Sequence, residues 1–227
     1  PSRAFNMMFP LGIGPTGKDP AYLRPETAQG VFLNFKREFE ALRRKLPMGL
    51  ALVGRAYRNE ISPRQGAYRM REFLQAELQI FFDPATFADV VPLRDVATVP
   101  VRVAWAADKN EPTAQDLPAR DLAARGLPSW YVWHLVQVQR FYLDSLRVPR
   151  DAFRFAELDE KERAFYNKVH FDVQVRQESL GGFKEVGGVH YRTDHDLKGH
   201  EAGSHVKQSV TFGASKLVPH VLELSFG

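Results

Sequence analysis

Hydrophobic positions along this chain change their period several times, and each change marks an element. Residues 1–22 carry no period, and "PLGIGPTGKDP" supplies repeated turn signals instead. From Pro25 a helical stripe sets in, with Val31, Phe32, Phe35, Phe39 and Leu42 recurring until Pro47 stops it. "LALVGRAYRNE" (50–60) is short, carries Val and Tyr, and reads as a strand. "MREFLQAELQIFFDP" (70–84) fits two patterns at once. Met70, Phe73, Leu74, Leu78 and Phe81 make a helical stripe, and the residue types favour helix. Read with period two, Arg71, Phe73, Gln75, Glu77 and Gln79 share one face, and Met70, Leu74, Ala76, Leu78 and Ile80 the other. Local signals alone tilt slightly towards helix.

Residues 84–127 look like an inserted segment, Val-rich at first and then polar with prolines. "SWYVWHLVQVQRFYLDSL" (129–146) is amphipathic at helical spacing, and a second helix is expected near "DEKERAFYNKV". The stripe Trp130, Trp133, Val136, Val138 and Phe141 is read as core in preference to an RNA-stacking surface. "KREFEALRRK" is read as a solvated helix face. Alternation returns over residues 170–197, and "KLVPHVLELSFG" closes the chain as a strand. No internal repeat or low-complexity stretch is present.

Composition narrows the class without deciding it. The chain has 227 residues, 44% hydrophobic and 26% charged, as expected of one large domain or a core with an insertion. Its 31 basic and 27 acidic side chains give a net charge of +4. That is mild for a dedicated nucleic-acid-binding domain, yet compatible with anionic ligands. Cysteine is absent, which excludes disulfides and thiolate metal sites. No apolar run reaches the ~18 residues of a membrane span, and "PSRAFNMMFPLG" has no signal-peptide pattern. It also lacks an initiating Met, so the chain is read as beginning within a longer protein or as trimmed. A soluble, cytoplasmic protein is expected.

The charge that changes the picture lies in "RNEISPRQGAYRMREFLQAE" (58–77), four arginines and three glutamates between two apolar segments. As a hairpin of 50–60 on 70–82, with Glu60 opposite Arg71 and Arg58 opposite Phe73, one face gathers a cation, an aromatic ring and carboxylates, Glu77 included. Arg64 and Arg69 would sit at the loop, free to close over an anion. Those groups suit a nucleotide held beside an amino acid. A salt-bridged surface hairpin would carry the same charges.

Four blocks carry a resemblance. "YRNEISPRQGAYRMREFLQAE" resembles the second signature motif of class II aminoacyl-tRNA synthetases, most closely that of glycyl-tRNA synthetases. "YLRPETAQGVFLNFK" (22–36), "YRTDHDL" (191–197) and "VPHVLELSFG" (218–227) are similar to three further blocks of that family, in order. The resemblance implies an α+β fold, an antiparallel sheet flanked by helices with a mainly helical insertion of archaeal–eukaryotic form. Residues 1–83 and 171–227 would form the catalytic core and 84–170 the insertion. It makes 70–82 a strand, with tertiary context overriding helix propensity. The first motif would lie before residue 1. The rest of the third motif, with its second adenine clamp, and an anticodon-binding domain would follow residue 227. Leu224 stands where the family usually has proline.

The resemblance also implies roles. Arg58 would meet the α-phosphate, Glu60 the adenine amino group and Phe73 the adenine ring. Arg64 or Arg69 would reach the outer phosphates. Glu77, Glu223 and Ser225 would hold the glycine ammonium, and Arg192 would lie beside its carboxylate. Glu26, Thr27 and Gln29 would shape the amino-acid pocket. Ligands implied are glycine, ATP with Mg2+ (near Glu60 and Glu223) and tRNA(Gly), in a homodimer when the first motif is present. A non-catalytic paralogue binding a nucleotide or RNA is the alternative, ahead of a plain RNA-binding module. His190, His195, His200 and His205 recur every five residues, which suits neither one helical face nor a zinc motif. With Gly199 and Gly203 pointing to a loop, ordinary histidines are expected there and no protein-held metal.

Overall fold

The computed structural model describes residues 6–63, 66, 68–108 and 113–227. A small hairpin opens it, β1 (Pro10–Ile13) on β2 (Asp19–Tyr22), followed by α1 (Ala28–Ala41). Val31, Phe32, Phe35 and Phe39 are buried on α1, the stripe read from the sequence. β3 (Met48–Tyr57) and β4 (Glu72–Phe82) then pair antiparallel. Residues 72–82 are therefore strand, against their local helix preference. β4 lies between β3 and β12, so pairing on both edges outweighs propensity.

The register differs from the sequence reading. Ala56 faces Phe73, Leu52 faces Glu77, and the Arg58 amide donates to the Arg71 carbonyl at 2.9 Å. Pairing is thus displaced by two residues. An even displacement keeps every side chain on its expected face, so Arg58 and Phe73 remain neighbours on the diagonal.

Residues 84–170 extend the same sheet. After α2 (Phe87–Val90) come β5 (Pro100–Ala104), β6 (Gln115–Pro118), α3 (Ala119–Ala124), α4 (Ser129–Arg140) and β7 (Phe153–Glu157). β8 (Val169–Gln177), β9 (Gly182–Thr193), α5 (His195–Ser204), the hairpin β10 (Val210–Phe212) and β11 (Ser215–Leu217), and β12 (His220–Phe226) complete the chain. Among described residues the sheet runs β3-β4-β12-β9-β8-β7-β5-β6, antiparallel except where β5 meets β7. This segment contributes the strands β5, β6 and β7 as well as its helices.

Helices cover both faces. α4 is buried almost all round, and Trp130, Tyr131, Leu135 and Val136 pack with Val189, Phe171 and Leu222 on one face. Trp133 and Phe141 stay partly open, while an α-helix ending at Arg140 passes into a π-helical turn, Phe141–Ser145. α1 and α5 cover one end of the opposite face through Phe32, Phe35, Leu197, Phe81 and Val221. The remainder of that face is open. No helix among the described residues is long and apolar enough to cross a membrane.

Two sequence expectations fail here. "DEKERAFYNKV" forms turns: the Asp159 carboxylate accepts the amides of Lys161 and Glu162 at 2.8 and 3.0 Å, but the chain then leaves the helical path to set Tyr166 against Arg192. Conversely, Gly199 and Gly203 lie in helix α5, anchored by buried Leu197 and Asp196. Tertiary anchoring overrides their low propensity.

Candidate functional site

Alternation on the central strands builds the open face in two cross-strand rows. One row is Leu50, Gln79, Glu223, His190 and His170; the next is Leu52, Glu77, Ser225, Gly188 and Asp172. Residues directly opposite share a face, so four strands present a band of carboxylates, amides and imidazoles. Over it lies a cleft of about 180 Å³ lined by Glu26, Arg58, Phe73, Glu77, Tyr166 and Arg192, with Glu223, Ser225 and Glu185 among others. A larger cleft of about 680 Å³ shares Arg58, Phe73 and Glu185 with it and extends to Tyr68, Arg69, Gln177 and Leu180. The two are one continuous depression with a small polar end and a wide one.

At the polar end charge is buried and paired. Arg192, 4% exposed, makes two 2.8 Å bonds to Asp196 and a 3.1 Å bond to Glu223 Oε2. Its guanidinium lies 4.5 Å from the Tyr166 ring centre and 5.4 Å from that of Phe32. Burial alone would lower Arg192; hydrogen bonds to Asp196 and the Glu223 charge more than offset it and hold the cation. Glu223 Oε2 also accepts Gln79 Nε2 at 2.6 Å, and burial still pushes its carboxyl upward. That oxygen is committed to protein donors, which argues against Glu223 as a magnesium ligand.

Glu77 differs. Its Oε2 accepts the Thr27 hydroxyl at 2.7 Å, and among the described residues no cation pairs with it directly. Burial first, then the Glu223 charge, raise its carboxyl from 4.5 to about 7. Thr27 stands at the N-cap position of α1 with its hydroxyl spent on Glu77 instead of the helix end, so the "PETAQ" segment closes this end of the cleft. Gln29 donates to Glu26 at 2.8 Å and pairs with His200 at 2.8 Å, bracing the wall from behind.

At the junction, Arg58 lies 5.3 Å from the Phe73 ring centre, and its Nε donates to the Pro25 carbonyl at 3.2 Å. Arg69 lines the wide end. Glu60 lines neither cleft; its carbonyl accepts Arg71 Nε at 3.0 Å. Arg64 lies outside the described residues. Leu224 points into the opposite core beside Leu78 and Val189, so the position tolerates an apolar side chain.

The sequence-predicted residues Glu26, Arg58, Phe73, Glu77, Arg192, Glu223 and Ser225 therefore meet in one depression, with Thr27 and Gln29 behind it. Sequence reasoning missed Tyr166, Gln79, Asp196, Glu185 and His190 as members. Gln79 had a signal, since period two placed it on the face of Glu77. Tyr166 had none, because its segment reads as helix. The four spaced histidines part company: His190 enters the cleft, and His195 and His200 ride on α5.

Comparison with known proteins matches this architecture. The family description tRNA synthetase class II core domain (G, H, P, S and T) fits residues 15–100. A prolyl-tRNA synthetase from Cryptosporidium parvum, solved with L-proline and AMP, superimposes with a TM-score of 0.60 over 97% of this chain and 35% of its own, at 13% identity. This chain carries the core domain of a class II aminoacyl-tRNA synthetase. Within that class, glycine--tRNA ligases are among its sequence relatives. The one from Thermococcus gammatolerans is 39% identical over 97% of this chain, and that from Pyrococcus abyssi 40% over 86%. The chain spans 39% and 34% of their lengths.

Proposed function

We propose that this chain is the amino-acid-activating core of a glycine–tRNA ligase. Glycine sits in the small polar end, and ATP, with its magnesium as part of the substrate, lies along the wide end. One observation carries the reading: a cleft of about 180 Å³ floored by two buried carboxylates and a buried arginine opens into one walled by Arg58 and Phe73. A substrate without a side chain offers only its charged ends. Glu77 and Glu223, with Ser225, suit the ammonium, and Arg192 suits the carboxylate.

In the reaction a glycine carboxylate oxygen attacks the α-phosphorus, the bond to the bridging oxygen of the β-phosphate breaks, and pyrophosphate leaves. Arg58, at the junction, is placed to stabilise charge developing on the α-phosphate. Phe73 offers the adenine a stacking face, and Arg69 lies where outer phosphates would extend. Catalysis is then positioning and charge stabilisation, with no protein nucleophile. In the longer protein the glycyl group would pass to the 3′-terminal ribose of tRNA(Gly), in a cytoplasmic homodimer. Residues 1–83 and 171–227 would act as the core and 84–170 as its insertion.

Amino-acid-dependent ATP–pyrophosphate exchange tests the reading, with glycine, alanine and serine compared. Glycine should support exchange, and Arg58→Ala should reduce it about 10²–10³-fold. A protein that binds ATP yet exchanges with none of the three sinks the proposal in favour of a non-catalytic relative.

A further inference from the structure

The amino-acid end has a wall that the roles above do not use. Gly188 lies in the second row between Ser225 and Asp172, and a Cβ there would stand 2.4 Å from His190 Nε2. The His190 ring thus leans into the space that a side chain at 188 would fill. Its Nε2 stands 3.2 Å from Ser225 Oγ and 3.6 Å from Glu223 Oε1. From behind, the His170 ring lies 4.1 Å away, centre to centre, and Asn167 Nδ2 lies 3.4 Å from His190 Nδ1. His170 Nε2 in turn stands 3.1 Å from Asp172 Oδ1. Burial, then His170 and Arg192, lower His190 well below its usual value, so the ring is neutral and puts no like charge beside an ammonium.

We propose that His190 is the specificity-determining wall of the amino-acid compartment, its ring packed over Gly188 against Ser225 and Glu223 so that no room remains for a substrate side chain. This deepens the glycine reading and rests on it. Carboxylate anchors hold the charged ends of any small amino acid equally. A cleft that merely accepts glycine gains little over alanine, because one methyl group is worth only a modest discrimination. Rejection needs a wall that cannot retreat, and the tilted His170 ring behind it, together with Asn167, denies His190 that retreat.

The test is calorimetric binding of glycine, alanine and serine to the wild-type chain, His190→Ala and His190→Asn, with thermal melts confirming folding. Asparagine keeps a hydrogen-bonding amide while removing ring bulk, and serves if the alanine variant does not fold. The wild type should prefer glycine. In His190→Ala the preference over alanine should fall ~10-fold or more, with a smaller fall in His190→Asn. A folded variant that keeps the wild-type preference within about twofold overturns the wall while leaving the glycine site standing. Absence of binding by every protein overturns both. Glycine binding without pyrophosphate exchange overturns activation alone, and the wall is still judged by the ratios.

Discussion

Burial and the neighbouring Glu223 charge hold the Glu77 carboxyl at about 7, with the Glu26 charge adding to the rise and Thr27 and Arg192 opposing it. The folded-state value lies above the unfolded one, so folding favours the protonated form. The associated stability is present at acid pH and is lost as pH rises from the ordinary carboxylate range through about 7. Binding runs the other way, since an ammonium needs the ionised form. KM for glycine should therefore fall as pH rises, by about tenfold per unit below the titration, and level off above it. Glu77→Gln should remove that slope and raise KM at neutral pH. Steady-state exchange between about pH 5.5 and 8.5 measures it, and a flat wild-type profile would rule Glu77 out as the ammonium anchor. Period two put Glu77 on one face with Arg71 and Phe73, and only the family resemblance gave it a role in the site. Its elevated proton affinity was not legible, because that depends on burial and then on Glu223, 146 positions away in sequence, arriving on the adjacent strand.

At the scale of elements, what the sequence conveyed was faces, and what it left open was registers and ends. The hairpin slipped by two residues from its expected pairing and kept its chemistry, because strand faces repeat every two. A slip of one would have put Arg58 on the opposite face of the sheet from Phe73 and Glu77. α5 and the turns at 158–168 were misread for one shared reason. Each is set by anchors from distant parts of the chain, Gln29 on His200 and Arg192 on Tyr166, that local propensity does not contain. The close approach of β9 and β12 is equally invisible locally. A Cβ at Gly187 would stand 2.3 Å from the Ser225 carbonyl oxygen, a backbone atom that cannot swing aside. Gly187→Ala should therefore cost about 1–3 kcal/mol and lower Tm by several degrees. It should also weaken glycine binding by displacing Ser225. A thermal melt unchanged from wild type would mean that the two strands separate more easily than this packing allows.

At the scale of the whole molecule, the sheet divides its open face by charge and width, and that division makes a sharp prediction. Helices α1 and α5 close one end over the buried Arg192–Asp196 pair, leaving a small compartment with paired charges. Beyond Arg58 and Phe73, which line both ends, the face widens and its lining becomes Leu74, Met70 and Leu180 with Arg69. Four sequence blocks spaced along the chain converge here because β12 inserts between β4 and β9, a topology no single block implies. If the compartments act separately, substitutions should sort by ligand. Phe73→Ala removes a stacking face worth ~1–3 kcal/mol per base and should weaken ATP while sparing glycine. Glu77→Gln should do the reverse. A non-hydrolysable glycyl-adenylate mimic spans both ends and should lose affinity in each variant, with the double variant losing the sum, because separate contacts add. Calorimetry on the four proteins decides it. If Phe73→Ala weakened glycine as much as ATP, the depression would be one mutually supported cavity, and the reading of two compartments sharing Arg58 would fall.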